Sequence, residues 1–300
     1  MSAVAFTIDG GTSRLHAIDL SDKTDLRTLD LESEPNYLSL SSQGVLLVAT
    51  DDGATLIDGN TFDVLAEIPT EVAVYSAVFS PDDNFIALGA SDDGKVYLHE
   101  ASSPFVRLAE GTSDCSATYF VAFSPSSTIL ASGTDRGTTF IWSIPTLELI
   151  RTLVGHSHYV VPGTFLSESL LVTGSWDNTC RVWDVSNGEC AKVLAESYTN
   201  RVRWVATSPD FSMFASACDD KAVRLYNAQT LSLIKSIALQ DHVTRLCFVD
   251  CSCILAGVAN AGLQIIDLES GTAMTISLLQ IPRGIAVTSP RILFLPPIVI

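Results

Sequence analysis

Three hundred residues with 34 acidic and 17 basic side chains give a net charge of −17, which disfavours direct contact with phosphate backbones. Hydrophobic residues reach 47%, yet no apolar run attains the roughly 18 residues that a membrane span needs. The apolar surplus instead fits strands buried on both faces, and the length fits one large all-β unit as well as two ordinary domains.

The chain opens with MSAVAFTIDGG, which has no basic leader and too short an apolar stretch for a secretion signal. Ala3 to Ile8 reads as a strand, with Ile8-Asp9-Gly10 as the turn after it. From there a unit recurs: an apolar strand, an acidic or Gly turn, and a short strand closing on a bulky residue. The closing residues are Ile18, Ile57, His99, Trp142, Trp183, Tyr226 and Ile266, spaced by 39, 42, 43, 41, 43 and 40. Asp51-Asp52-Gly53, Asp92-Asp93-Gly94, Asp135-Arg136-Gly137 and Asp219-Asp220 supply turns between them. Further upstream in several units, VFSPDD, AFSPSS and ATSPDF end another strand in a Ser-Pro turn, where Pro presets φ.

Seven closing residues predict seven units. The first strand of the second to seventh units is expected near residues 36–41, 74–80, 118–124, 159–166, 202–208 and 243–249. The chain begins on the second strand of its first unit, so the missing inner strand must come from elsewhere. Arg283 to Pro290 has the pattern of one, and pairing the two chain ends would leave no open edge. Residues 292–300, ILFLPPIVI, fit no slot: a surface tail, a competitor for the strand at Ala3 to Ile8, or an unusual chain end. The expected organisation is one domain over 1–291, with 292–300 as an apolar tail.

The acidity is uneven. Residues 1–100 hold 18 acidic and 4 basic side chains, 101–200 hold 9 and 5, and 201–300 hold 7 and 8. The first three units should therefore present an acidic face, suited to a partner with a basic surface. Seven scattered cysteines, an odd number, read as small core residues in a reducing compartment; Cys247, Cys251 and Cys253 lack zinc-site spacing. With no Asn-x-Ser/Thr acceptor either, an intracellular protein, cytoplasmic or nuclear, is expected.

Residues 155–190 carry the fullest copy of the unit: Gly155-His156, an apolar strand, a strand ending GSWD, and a third ending Val182-Trp183-Asp184. Gly-His followed by Trp-Asp within about 40 residues resembles the WD-repeat family. The resemblance implies an all-β, seven-bladed β-propeller whose ring is closed by a C-terminal strand completing the N-terminal blade. It also implies a structural hydrogen-bond strut made of His156, Thr173 or Ser175, Asp177 and Trp183. The same residue types could make a hydrolase triad, but no nucleophile elbow or oxyanion motif accompanies them. Only the fifth blade has the full set, so most others are expected to rely on apolar packing and ladder hydrogen bonds.

In such propellers the residue entering each innermost strand lines the mouth of the central channel. Counting four back from Phe79 and Phe123 gives Tyr75 and Tyr119, and the sixth blade gives Arg203. Matching Tyr-Leu-Ser-Leu-Ser in the second blade gives Tyr37, and Trp176 is expected on the same rim beside the turn residue Asp177. Three tyrosines in successive blades would make an aromatic arc for a partner peptide with an apolar or basic anchor. The function implied is a non-enzymatic protein-interaction scaffold in a larger complex, with no cofactor, metal, small-molecule substrate, nucleic acid or membrane. The alternative is a peptide-recognition module of a ubiquitin-ligase or protein-modifying complex.

Overall fold

Segments such as Val45-Leu46-Leu47-Val48 have no polar face, so they are stable only where something covers both sides of the sheet. The computed structural model describes residues 3–9, 12–195, 198–277 and 282–288, and all 28 elements there are strands. They form seven antiparallel four-stranded sheets. The second strand of each is buried along nearly its whole length, as in Val45–Thr50 and Leu170–Ser175, while an outermost strand such as Asp25–Asp30 faces solvent. No helix of the described residues is long and apolar enough to cross a membrane.

The innermost strands are Pro282–Val287, Pro35–Leu40, Val74–Phe79, Thr118–Phe123, Val160–Phe165, Val202–Thr207 and Val243–Phe248. Each packs beside the next, and Val243–Phe248 packs against Pro282–Val287, closing a ring of seven blades. The closing strand pairs with Val4–Asp9, setting Val287 opposite Ala5 and Ala286 opposite Phe6. The Thr288 amide continues the join by donating to the Val4 carbonyl at 3.0 Å. The 292–300 tail lies outside the described residues.

The core lies between blades. Leu47 and Leu56 of the second blade pack with Val74 and Leu88 of the third, and Val223 and Leu225 of the sixth with Val243 and Ile254 of the seventh. Burial at roughly 25 cal/mol per Å² of apolar surface makes these seams the main stabilising contacts. The loops have particular requirements. Gly137 has φ +77°, and a Cβ there would lie 2.4 Å from the His156 carbonyl oxygen, so only glycine fits. At the opposite end of the blades the Ser-Pro-Asp turns are self-bonded: Ser208 Oγ donates to Asp210 at 2.7 Å and accepts from the Met213 amide at 3.0 Å.

Candidate functional site at the channel mouth

Each of several inner strands starts with a buried residue followed by a register shift, which leaves the next residue bulged out of the ladder. Tyr75, Tyr119 and Arg203 hold that bulged position, half-buried at one mouth of the channel. Tyr75 stacks on Tyr119 with centroids 5.4 Å apart and planes 3° from parallel. Tyr119 stacks on Tyr159 at 5.3 Å, and Tyr159 meets Trp176 at 5.1 Å. Arg203 and Arg201 lie over the Trp176 ring, 5.0 and 4.5 Å from its centroid. Both Asp219 oxygens accept from Arg203 Nε, at 2.8 and 2.9 Å, which fixes the guanidinium over the ring.

Two features differ from the expected rim. Tyr37 is not in the arc: the register shift after Pro35 puts Asn36 in the bulged position, so Tyr37 lies one residue deeper and meets Trp204 at 5.4 Å. Counting four back from Leu40 would have given Asn36; matching by motif slipped by one. Burial pushes the Tyr37 hydroxyl up to about 12. Tyr159, which precedes the inner strand of the fifth blade, completes the arc instead, and its place directly before an apolar strand was the available signal. The indole nitrogen of Trp176 is buried without a partner among the described residues. Behind the layer of Tyr37, Phe120 and Trp204, a cavity of about 410 Å³ opens between Leu40, Phe79, Phe123 and Phe248.

Beneath the rim, the fifth blade carries a directed chain of hydrogen bonds. Trp183 Nε1 donates to Thr173 Oγ1 at 2.8 Å, Thr173 is 2.9 Å from His156 Nε2, and His156 Nδ1 is 2.8 Å from Asp177. Burial holds His156 below its ordinary pKa, so the imidazole is neutral; Nε2 accepts from Thr173 and Nδ1 donates to Asp177. Burial alone would raise Asp177, but hydrogen bonds from His156, Thr179 and the Ser157 amide outweigh it and hold the carboxyl well below the usual range. Ser175 stands outside this chain: its hydroxyl donates to the His158 carbonyl and caps the turn at the Asp177 amide. Thr173 is fully buried, so its hydroxyl does not face solvent.

The sixth blade has a polar network of its own, where apolar packing was expected. Tyr198 donates to or accepts from Ser216 Oγ at 2.8 Å, and Arg224 grips both Asp220 oxygens at 2.9 and 2.7 Å. In the fourth blade Trp142 Nε1 donates to Ser132 Oγ at 2.8 Å, and in the third His99 Nδ1 donates to the Phe105 carbonyl at 3.0 Å. In the seventh, Asn260 only reaches Asp241 on the surface, at 2.8 Å.

A family model described as WD domain, G-beta repeat matches residues 65–100, 110–143, 147–184 and 188–227. Each match runs from the outermost strand of one blade to the third strand of the next. The chain is 38% identical over 109 residues to nuclear distribution protein PAC1-2 of Uncinocarpus reesii, covering 33% of this chain and 24% of that protein. It is 40% identical over 108 residues to WD repeat and SOCS box-containing protein 1 of Mus musculus, covering 35% and 25%. Over 162 residues it is 31% identical to the chromatin assembly factor 1 subunit FAS2 homolog of Oryza sativa subsp. japonica, covering 49% and 32%. The matched region thus spans 24% to 32% of these relatives' lengths.

Proposed function

We propose, from the premise that this chain is a member of the WD-repeat family of β-propellers, that it is a non-catalytic platform holding a partner segment at the aromatic channel mouth. The observation that carries this is the continuous row Tyr75–Tyr119–Tyr159–Trp176 with Arg203 on its end. Tyrosine, tryptophan and arginine are enriched at binding hot spots, and the two aromatics bring large contact area at little entropic cost. Here the rings stack on one another and Asp219 fixes Arg203 over Trp176, which supports a preorganised surface. The interior placement of the His156, Thr173 and Asp177 side chains supports a structural and not a catalytic role for them. Net charge of −17 supports a protein partner over nucleic acid, and at least one partner is proposed to bring a basic surface to the acidic first three blades. All seven cysteines are free thiols, which supports a reducing, intracellular setting.

The test is a pull-down from native extract with the intact chain and with Tyr75→Ala/Tyr119→Ala, identifying partners by mass spectrometry. The double variant should keep the parent melting temperature and lose about 2 kcal/mol or more of affinity for at least one partner. Unchanged affinity for every partner would exclude the mouth.

A further inference from the structure

We propose that the throat just inside this mouth binds a carboxylate side chain, an Asp or Glu of the docked partner segment, on the guanidinium of Arg245. The proposal rests on the docking reading above and specifies its anchor. Arg245 follows the register shift of the seventh blade's inner strand, as Tyr37 and Trp204 follow theirs, so these three side chains share one layer of the channel. Its guanidinium carbon lies 4.6 Å from the centroid of the Trp204 ring. Nε donates to the Arg283 carbonyl at 2.7 Å and Nη1 to the Thr244 carbonyl at 2.9 Å. Those carbonyls orient the cation without cancelling its charge, and Nη2 has no hydrogen-bond partner among the described residues.

The neighbouring arginines are in a different state. Arg203 is neutralised by Asp219, and Arg283 reaches Glu34. The titratable groups that face Arg245 are Tyr37, Arg203 and Arg283, and burial pulls the Arg245 pKa down to about 10. No carboxylate among the described residues touches it. A half-buried cation with no counter-ion among the described residues favours a ligand that brings one. One uncompensated charge matches a monoanion; a phosphate dianion would need a second free cation, and the two adjacent arginines already have acids. The mouth is therefore divided, with rings from the third to fifth blades on one side and arginines from the sixth, seventh and first on the other. A segment with an acidic residue beside an apolar or aromatic one spans both halves. A basic anchor would face Arg203, Arg245 and Arg283 together.

The first test titrates sodium acetate against sodium chloride at fixed ionic strength into the ¹⁵N-labelled full chain. It follows the Arg245 Nε–Hε signal, assigned by its loss in Arg245→Lys. A saturable shift with acetate, weaker with inorganic phosphate, is expected. No saturable shift, or tighter binding of phosphate, would overturn the carboxylate assignment. The second test selects a random-peptide display library on the same chain. Selected peptides should carry Asp or Glu, lose about tenfold or more in affinity for Arg245→Gln, and lose less for Arg245→Lys, which keeps the charge. Peptides that need Tyr75 and Tyr119 but bind Arg245→Gln unchanged would remove this anchor and leave mouth docking standing. Should Arg245→Gln not fold, the acetate titration alone decides.

Discussion

The fifth and sixth blades tie loop to strand at the same places with different chemistry. Tyr198 stands where His156 does, Ser216 where Thr173 does, and Asp220 where Asp177 does. The match extends to the backbone: Asp177 accepts from the Ser157 amide at 3.1 Å and Asp220 from the Thr199 amide at 3.3 Å. The fifth blade passes hydrogen bonds through a neutral imidazole, whereas the sixth divides the task between a tyrosine–serine pair and a buried Arg224–Asp220 ion pair. What the two blades share is a bonded turn between their second and third strands; the residue types are free to change if every buried group keeps a partner. Among the described residues the seventh blade's Asn260 bonds Asp241 at the surface, which shows the contrast.

That comparison orders the effect of removing each turn residue. Asp220→Ala should be the most damaging, by about 3–5 kcal/mol, because it leaves the buried Arg224 charge unpaired. Asp177→Ala should cost about 1–3 kcal/mol by orphaning His156 Nδ1. Asn260→Gly, which keeps the left-handed backbone at φ 55°, should cost under about 1 kcal/mol, since its partner Asp241 is reached at the surface. Urea unfolding of the three variants checks the order, and equal losses at Asp177 and Asn260 would break the assignment.

Acid sharpens the same contrast. His156 and Asp177 both have folded pKa values below their unfolded ones, so on acidification the unfolded chain takes up protons first. The stability they contribute is complete above about pH 6.5; His156's share is lost as pH falls from there toward its depressed folded value. The Asp177 share follows below about pH 4. His156→Gln should therefore flatten the urea midpoint between about pH 6.5 and 5 relative to the parent. An unchanged slope would mean that His156 takes up its proton over the same pH range in the folded and unfolded chains, against the lowered folded value.

Blade number and ring closure were legible because the closing residue of each third strand recurs at nearly constant spacing and because Arg283 onward repeats an inner-strand pattern. The rim was only partly legible. A β-bulge inserts one residue without any mark in composition, which is why motif matching placed Tyr37 where Asn36 stands. The choice between Thr173 and Ser175 also needed coordinates, since both face the same side of one strand and differ only in reach to Trp183. The sixth-blade network escaped notice because Tyr198 replaces a histidine by position and not by type. Its one trace was Arg224 four residues after Asp220. The throat was hidden for a related reason: whether an arginine has a counter-ion depends on contacts between strands that are distant in the chain.

Docking at the tyrosine mouth is most directly tested by site-specific photocrosslinking. A benzophenone amino acid is placed at Tyr119 in one variant and at the exposed Phe211, on the opposite face beside the Ser-Pro-Asp turn, in another. Each is irradiated in extract with the partner recovered by pull-down. The account predicts that the partner is captured from position 119 and not from position 211. Capture from 211 with none from 119 would contradict it.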